Sequence, residues 1–247
     1  MTLSTLANCA IGPVALLILA LPGLATPARK LVVVIVLLGC LDVAATMLPI
    51  IYKPLQFPGV HWNWAGKLFD LAAMSAVAIV LMATKTFSAP DLGLTLRQAP
   101  GTGRAVLFVM LPWLVFVAAI TATMFGEATP SSHETLLYEA TMPGLAEELF
   151  WRGILLALFD RLYTGRFTLW GAEIGYGVFA TTFLFGLVHA LAFDDHMAIQ
   201  FAPLGGLMAA VSGFLLAWLR TRSKSLVLPV IMHNATNLIL ESVPRLL

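Results

Sequence analysis

Residues 31–51 read LVVVIVLLGCLDVAATMLPII, an apolar run from Leu31 to Ile51 interrupted by one charge, Asp42. A helix needs about 20 mainly apolar residues to cross a bilayer, so this stretch is long enough to span one. Similar runs recur near 5–25, 65–84, 104–125, 143–160, 170–193, 198–219 and 227–243, giving about eight expected spans. The rest of the chain has the same character. Of its 247 residues, 60% are hydrophobic and 11% charged, against roughly 25% charged in soluble domains. Lipid excludes irregular exposed backbone, and no barrel-type alternation is visible. The expected fold is all-α: a polytopic transmembrane helix bundle, one integral membrane domain over 1–247 with no internal repeat.

The net charge of +1 comes with no basic run, so no nucleic-acid partner is expected; lipid is. Cys9 and Cys40 lie in apolar stretches and read as small buried hydrophobes. The segment before Ile11 has no basic leader, so no cleavable signal peptide is expected. Trp62 and Trp64 follow the turn residues Pro54, Pro58 and Gly59 and read as interfacial anchors. The longest polar connection, 88–103, reads as surface.

Basic residues orient the bundle. Arg29, Lys30, Lys85, Arg97, Arg104, Arg161, Arg166, Arg220, Arg222 and Lys224 fall on one side, and Lys53 and Arg245 on the other. Lys67 and Arg152 lie within spans. The ten-against-two bias puts the first side in the cytoplasm and both termini outside.

Ionisable groups inside a membrane are costly, and they are functional candidates by default. Three clusters stand out. In the fifth span, Glu147 and Glu148 precede Arg152. Residues four apart share a helix face, so Glu148 and Arg152 can neutralise one another. Glu147 is rotated about 100° from Glu148 and lacks that local partner, which suits a general base. Phe185 and His189 share a face near the end of the sixth span. His233 and Asn237 share a face in the eighth, and both can donate to an oxyanion. Asn234 is off that face and reads as structural.

These residues carry a resemblance. Glu-Glu-x-x-x-Arg, Phe-x-x-x-His and His-x-x-x-Asn, in this order, resemble the CPBP family, which includes the type II CAAX prenyl endopeptidases and bacteriocin-processing proteins. Phe150, Gly153, Gly186, Gly213, Arg222, Ser225, Leu226 and Pro229 supply similar context. The likeness covers a catalytic core at about 143–237, and Leu92-Gly93-Leu94 is a faint echo before it. It implies an intramembrane endopeptidase in which Glu147 activates water and His189 assists. His233 and Asn237 would form the oxyanion hole, with Glu148, Arg152 and Phe185 supporting. The implied substrate is a peptide of a membrane-associated, prenylated or exported protein, in a bacterial or archaeal cell membrane.

No cofactor is expected. The alternative is a zinc-dependent version of the same protease, with Glu147, Glu148, His189 and His233 as ligands. A second alternative is a transporter or proton relay through Asp42, Lys67, Asp70 and Glu147, although Lys67 and Asp70, three apart, read as a local ion pair. Asp194-Asp195-His196, His61 and His133 read as solvated loop residues. One condition attaches to the topology. Glu147 and His189 lie toward the outer end and His233 follows an inner connection. The clusters can meet only if Ser225–Pro229 dips into the membrane, or if a span is miscounted.

Overall fold

The computed structural model describes residues 2–125 and 131–246. The side chain of Arg245, one of the two basic residues on the minority side, lies outside that description. Helix α1 (Leu3–Ala20) continues into a 3₁₀ turn at Leu21–Ala25. It is followed by α2 (Lys30–Ile51) and α3 (Trp64–Ala83). Thr102–Ala105, a π turn at Val106–Met110 and Leu111–Phe125 form α4. After a short α5 (His133–Glu139), α6 is built of Met142–Glu148, a π segment Leu149–Leu155 and Leu156–Leu162. Two antiparallel hairpins, β1–β2 (Arg166–Leu169, Ala172–Gly175) and β3–β4 (Leu191–Phe193, Ile199–Phe201), flank α7 (Tyr176–Ala190). Helices α8 (Pro203–Ser223) and α9 (Val227–Leu246) end the chain.

The bundle is helical, and each expected span contains a helix. Among the described residues, five helices are long and apolar enough to cross a bilayer: α1 with its 3₁₀ turn, α2, α3, α4 and α8. The centre is α6. From Glu148 to Phe159 every residue is buried, as expected of a helix apolar on all sides. Ile154, Leu155, Leu158 and Phe159 meet Leu16, Ile35, Met74 and Leu184 in one core. Exposed Val33, Leu37, Ile79, Phe108 and Val115 cover the outside, a surface suited to lipid. Cys40 joins that outer surface, and Cys9 is half-buried, so neither is the buried hydrophobe the sequence suggests.

The sixth span is shorter than expected. Residues 170–175 belong to the first hairpin, whose turn holds Trp170 at φ 50° and Gly171 at φ 79°. Positive φ at both central residues is what a type I′ hairpin turn requires. The Asp160 carboxylate then accepts from the Gly177 amide at 2.7 Å and starts α7. Close approach of α7 to α8 depends on glycine. A Cβ on Gly186 would lie 2.8 Å from Ala210 Cβ, and one on Gly206 would lie 2.3 Å from Ala190 Cβ.

The turn from α8 to α9 is packed against protein on both of its serines. Ser223 and Ser225 are fully buried there. Ala99 N–H donates to the Ser223 carbonyl, Leu226 N–H to Gly93, and the Ser225 hydroxyl to the Thr95 carbonyl. Ser225 Oγ also accepts from Val227 N–H, at the start of α9. Leu226 packs on Gly153, and α6 runs on from there to Leu162, about 14 Å further. Residues 88–101 therefore cover Ser223, Ser225 and Leu226, while Lys224 between them is exposed.

Candidate active site

Helix α6 presents Glu147, Glu148 and Arg152. The Arg152 Nη1 donates to Glu148 Oε1 at 2.8 Å, with both side chains fully buried, as their spacing suggested. Arg152 Nη2 reaches the Gly213 carbonyl at 3.3 Å, and its guanidinium lies 4.5 Å from the Phe185 ring centre. Gly213 leaves room for this, since a Cβ there would stand 3.2 Å from Nη2. Arg152 thus ties α6 to both α7 and α8.

Phe185 organises the imidazoles. Its ring centroid is 4.5 Å from that of His189 and 5.9 Å, edge-on, from that of His233. His189 Nδ1 lies 2.7 Å from the Phe185 carbonyl. A carbonyl only accepts, so Nδ1 carries the proton, and in the neutral ring Nε2 keeps a lone pair. His233 Nδ1 lies 2.7 Å from Glu148 Oε1, the oxygen that Arg152 also uses. His233 Nε2 faces Glu147 Oε2 at 3.9 Å. Asn237, one turn on, donates from Nδ2 to Glu139 Oε2 at 2.8 Å.

Asn234 has the structural role that its position suggested. Its Oδ1 accepts from Gly144 N–H at 2.7 Å and its Nδ2 donates to the Thr141 carbonyl at 3.2 Å. A Cβ on Gly144 would lie 2.4 Å from that Oδ1. These bonds clamp α9 against the first turn of α6, and so set His233 level with Glu148.

Glu147, His189, His233 and Asn237, from three helices, line one cavity of about 520 Å³. Trp113, Met124, Met208 and Leu240 make much of its wall apolar. A second cavity of about 460 Å³ lies between α1, α2 and α7. Glu147, Lys67, Phe185 and His189 border both. A third, about 490 Å³, opens at the end that gathers Arg161, Arg166, Arg220 and Lys224, and holds none of the four.

Two partners of the site escape the motif reading. Glu147 is not without a counter-ion: Lys67 Nζ of α3 donates to its Oε1 at 2.7 Å. Lys67 is therefore paired across helices, not locally with Asp70. A lysine inside an apolar span was itself the signal, because its charge there requires an acid. Glu139, which holds Asn237, is buried on α5, a segment whose sequence reads only as a lead into the next helix.

Among the described residues, no three His, Cys, Asp or Glu side chains converge as a metal-ligand set. Glu147 and Glu148 are each held by a cation, Lys67 and Arg152. Asp194 bends its own loop, accepting from His196 and Ala198 N–H, both at 2.9 Å. Those contacts and the Ser88 hydrogen bonds of Asp91 hold these two exposed carboxyls below the usual range.

Neither a curated protein nor a solved structure gives a match. A family model does: type II CAAX prenyl endopeptidase Rce1-like, over residues 104–239. The match begins at the start of α4, earlier than the motifs alone suggest, and contains Glu147, His189, His233 and Asn237. A membrane-embedded bundle, a cavity lined by a carboxylate, two imidazoles and an amide, and a match over more than half of the chain lead to one conclusion: the chain belongs to the Rce1-like type II CAAX prenyl endopeptidase family and is an integral membrane protease.

Proposed function

We propose that the protein hydrolyses a peptide bond within the 520 Å³ cavity by a glutamate-activated water. The observation that supports this best is the convergence of Glu147, His189, His233 and Asn237 on that space. Glu147 Oε2, free of Lys67, takes the proton of a water, with the lone pair of His189 Nε2 as the second base. The hydroxide attacks the scissile carbonyl carbon and the carbonyl electron pair moves to oxygen. His233 Nε2 and Asn237 Nδ2 donate to that oxyanion. For His233 this requires a proton on Nε2 while Nδ1 still donates to Glu148. Collapse of the intermediate breaks the C–N bond, and the proton held by Glu147 passes to the leaving amine.

No metal enters this sequence, and no cofactor is proposed. The partners are lipid and a peptide substrate, without nucleic acid. The substrate is a segment of a membrane-associated, prenylated or exported protein, in the cell membrane of a bacterium or archaeon. The apolar wall of the cavity suits such a segment. The test is Glu147→Gln in purified protein, assayed with a farnesylated reporter peptide and an unprenylated one of the same sequence. Cleavage should be abolished while the melting temperature stays within a few degrees of wild type. Retained cleavage would remove Glu147 from the mechanism.

A further inference from the structure

Behind Glu147 lie three ionisable groups that the mechanism does not use: half-buried Lys67 and Asp42, and buried Asp70. All three precede residue 104, outside the family match. Asp70 is 1% exposed, and no donor reaches either of its carboxyl oxygens. A carboxylate buried without a donor is costly, so this geometry calls for a proton on Asp70. A neutral Asp70 leaves the Lys67 charge to Glu147.

Lys67 faces both Asp70 and Glu147. Its Nζ takes Glu147 Oε1 at 2.7 Å. That contact leaves Oε2 on the side of His233, 3.9 Å from Nε2. One lysine thus decides which oxygen is committed and which is free for chemistry. The titratable groups facing Lys67 and Glu147 are Asp42 from α2, Asp70 from α3, Tyr138 and Glu139 from α5, Arg152 from α6, His189 from α7 and His233 from α9. Of the two permanent cations, Arg152 is committed to Glu148 and Lys67 to Glu147. We propose that Lys67 is a positioning residue for Glu147, left to it by a buried Asp70 that keeps its proton.

The inference rests on the catalytic role of Glu147, so its test includes a readout that needs no turnover. Full-length protein in lipid vesicles is titrated by infrared spectroscopy, with the Glu147 carboxyl band assigned by its loss in Glu147→Gln. Lys67→Met removes the cation, and protonation of Glu147 should then occur about one pH unit higher or more, a tenfold change in its proton equilibrium. Lys67→Arg should restore most of the shift. Should Lys67→Met not fold, Lys67→Gln replaces it. Wild type should also show a protonated carboxyl band at pH 7 that Asp70→Asn removes. A Lys67→Met titration that overlays wild type, or a pH 7 spectrum without that band, overturns the proposal. With the farnesylated peptide, Lys67→Met should lower kcat about tenfold or more, leave KM within about twofold, and move the acid limb of the profile upward. If wild type cleaves no peptide, the protease mechanism fails while the infrared result still decides the role of Lys67.

Discussion

His233 shows how much one side chain here depends on distant ones. Its Nδ1 is fixed by Glu148, Glu148 is fixed by Arg152, and Arg152 rests on Phe185 and the Gly213 carbonyl. What the motif spacing presents as separate pairs is one connected network across α6, α7, α8 and α9. Asn237 is anchored separately, by Glu139. Its loss should therefore affect chemistry more than folding. Asn237→Ala should reduce kcat by about 10²–10³, the usual cost of one oxyanion donor, with little change in melting temperature. A drop in turnover that merely follows a drop in folded fraction would instead assign Asn237 a structural role. At this scale the sequence was informative about residue types and helix faces. The i, i+4 pairing of Glu148 with Arg152 was legible because it is local. Lys67 with Glu147 was not, because the two residues lie 80 positions apart.

Among elements, the loop from α2 to α3 lends Trp62 to the wall of the 520 Å³ cavity. Trp62 stacks on Tyr138 at 4.8 Å, Trp64 meets the same ring edge-on at 5.2 Å, and both Trp62 and Tyr138 line the cavity. Glu134 of α5 latches this loop. Its carboxylate accepts from the Trp62 and His61 amides at 3.1 and 3.0 Å and from the Trp64 indole at 3.1 Å. These donors, the Trp62 amide foremost, hold the Glu134 carboxyl below the usual carboxylate range. A depressed carboxyl contributes stability that is complete above its unfolded value and is lost as pH falls through the folded one. The latch should therefore be intact above about pH 4.3 and weaken below it. Hydrogen exchange over residues 57–64 checks this. Glu134→Gln should exchange faster than wild type at pH 7, and the difference should vanish as the wild-type carboxyl protonates. Tryptophans placed after turn residues do suggest interfacial anchors, but which helix they fasten to is a matter of packing.

For the molecule as a whole, the turn between α8 and α9 is held beneath residues 88–101. The basic end collects Arg220 on the Asp91 carbonyl at 2.7 Å, Arg222 on the Pro100 carbonyl at 2.8 Å and Arg161 on the Thr86 carbonyl. Residues 88–101 are thereby pulled over Ser223–Leu226. A cysteine scan follows, in a background with Cys9 and Cys40 replaced by alanine. Arg97→Cys, at an exposed position, should react with a membrane-impermeant maleimide from the cytoplasmic side. Ser225→Cys, fully buried, should react only after denaturation. Labelling of Ser225→Cys in the folded protein would mean that the turn lies at the surface. Composition and run length alone determined the bundle, because a bilayer accepts only long apolar helices or closed barrels. The spacing of Glu148 and Arg152, and of His233 and Asn237, likewise marked shared helix faces, since these follow from a fixed 3.6-residue period. Only the tertiary structure decided that residues 88–101 cover the start of α9, that the sixth span gives way to hairpins, and that Lys67 and Glu139 reach Glu147 and Asn237. Those are choices of partner between distant segments, and local periodicity does not encode them.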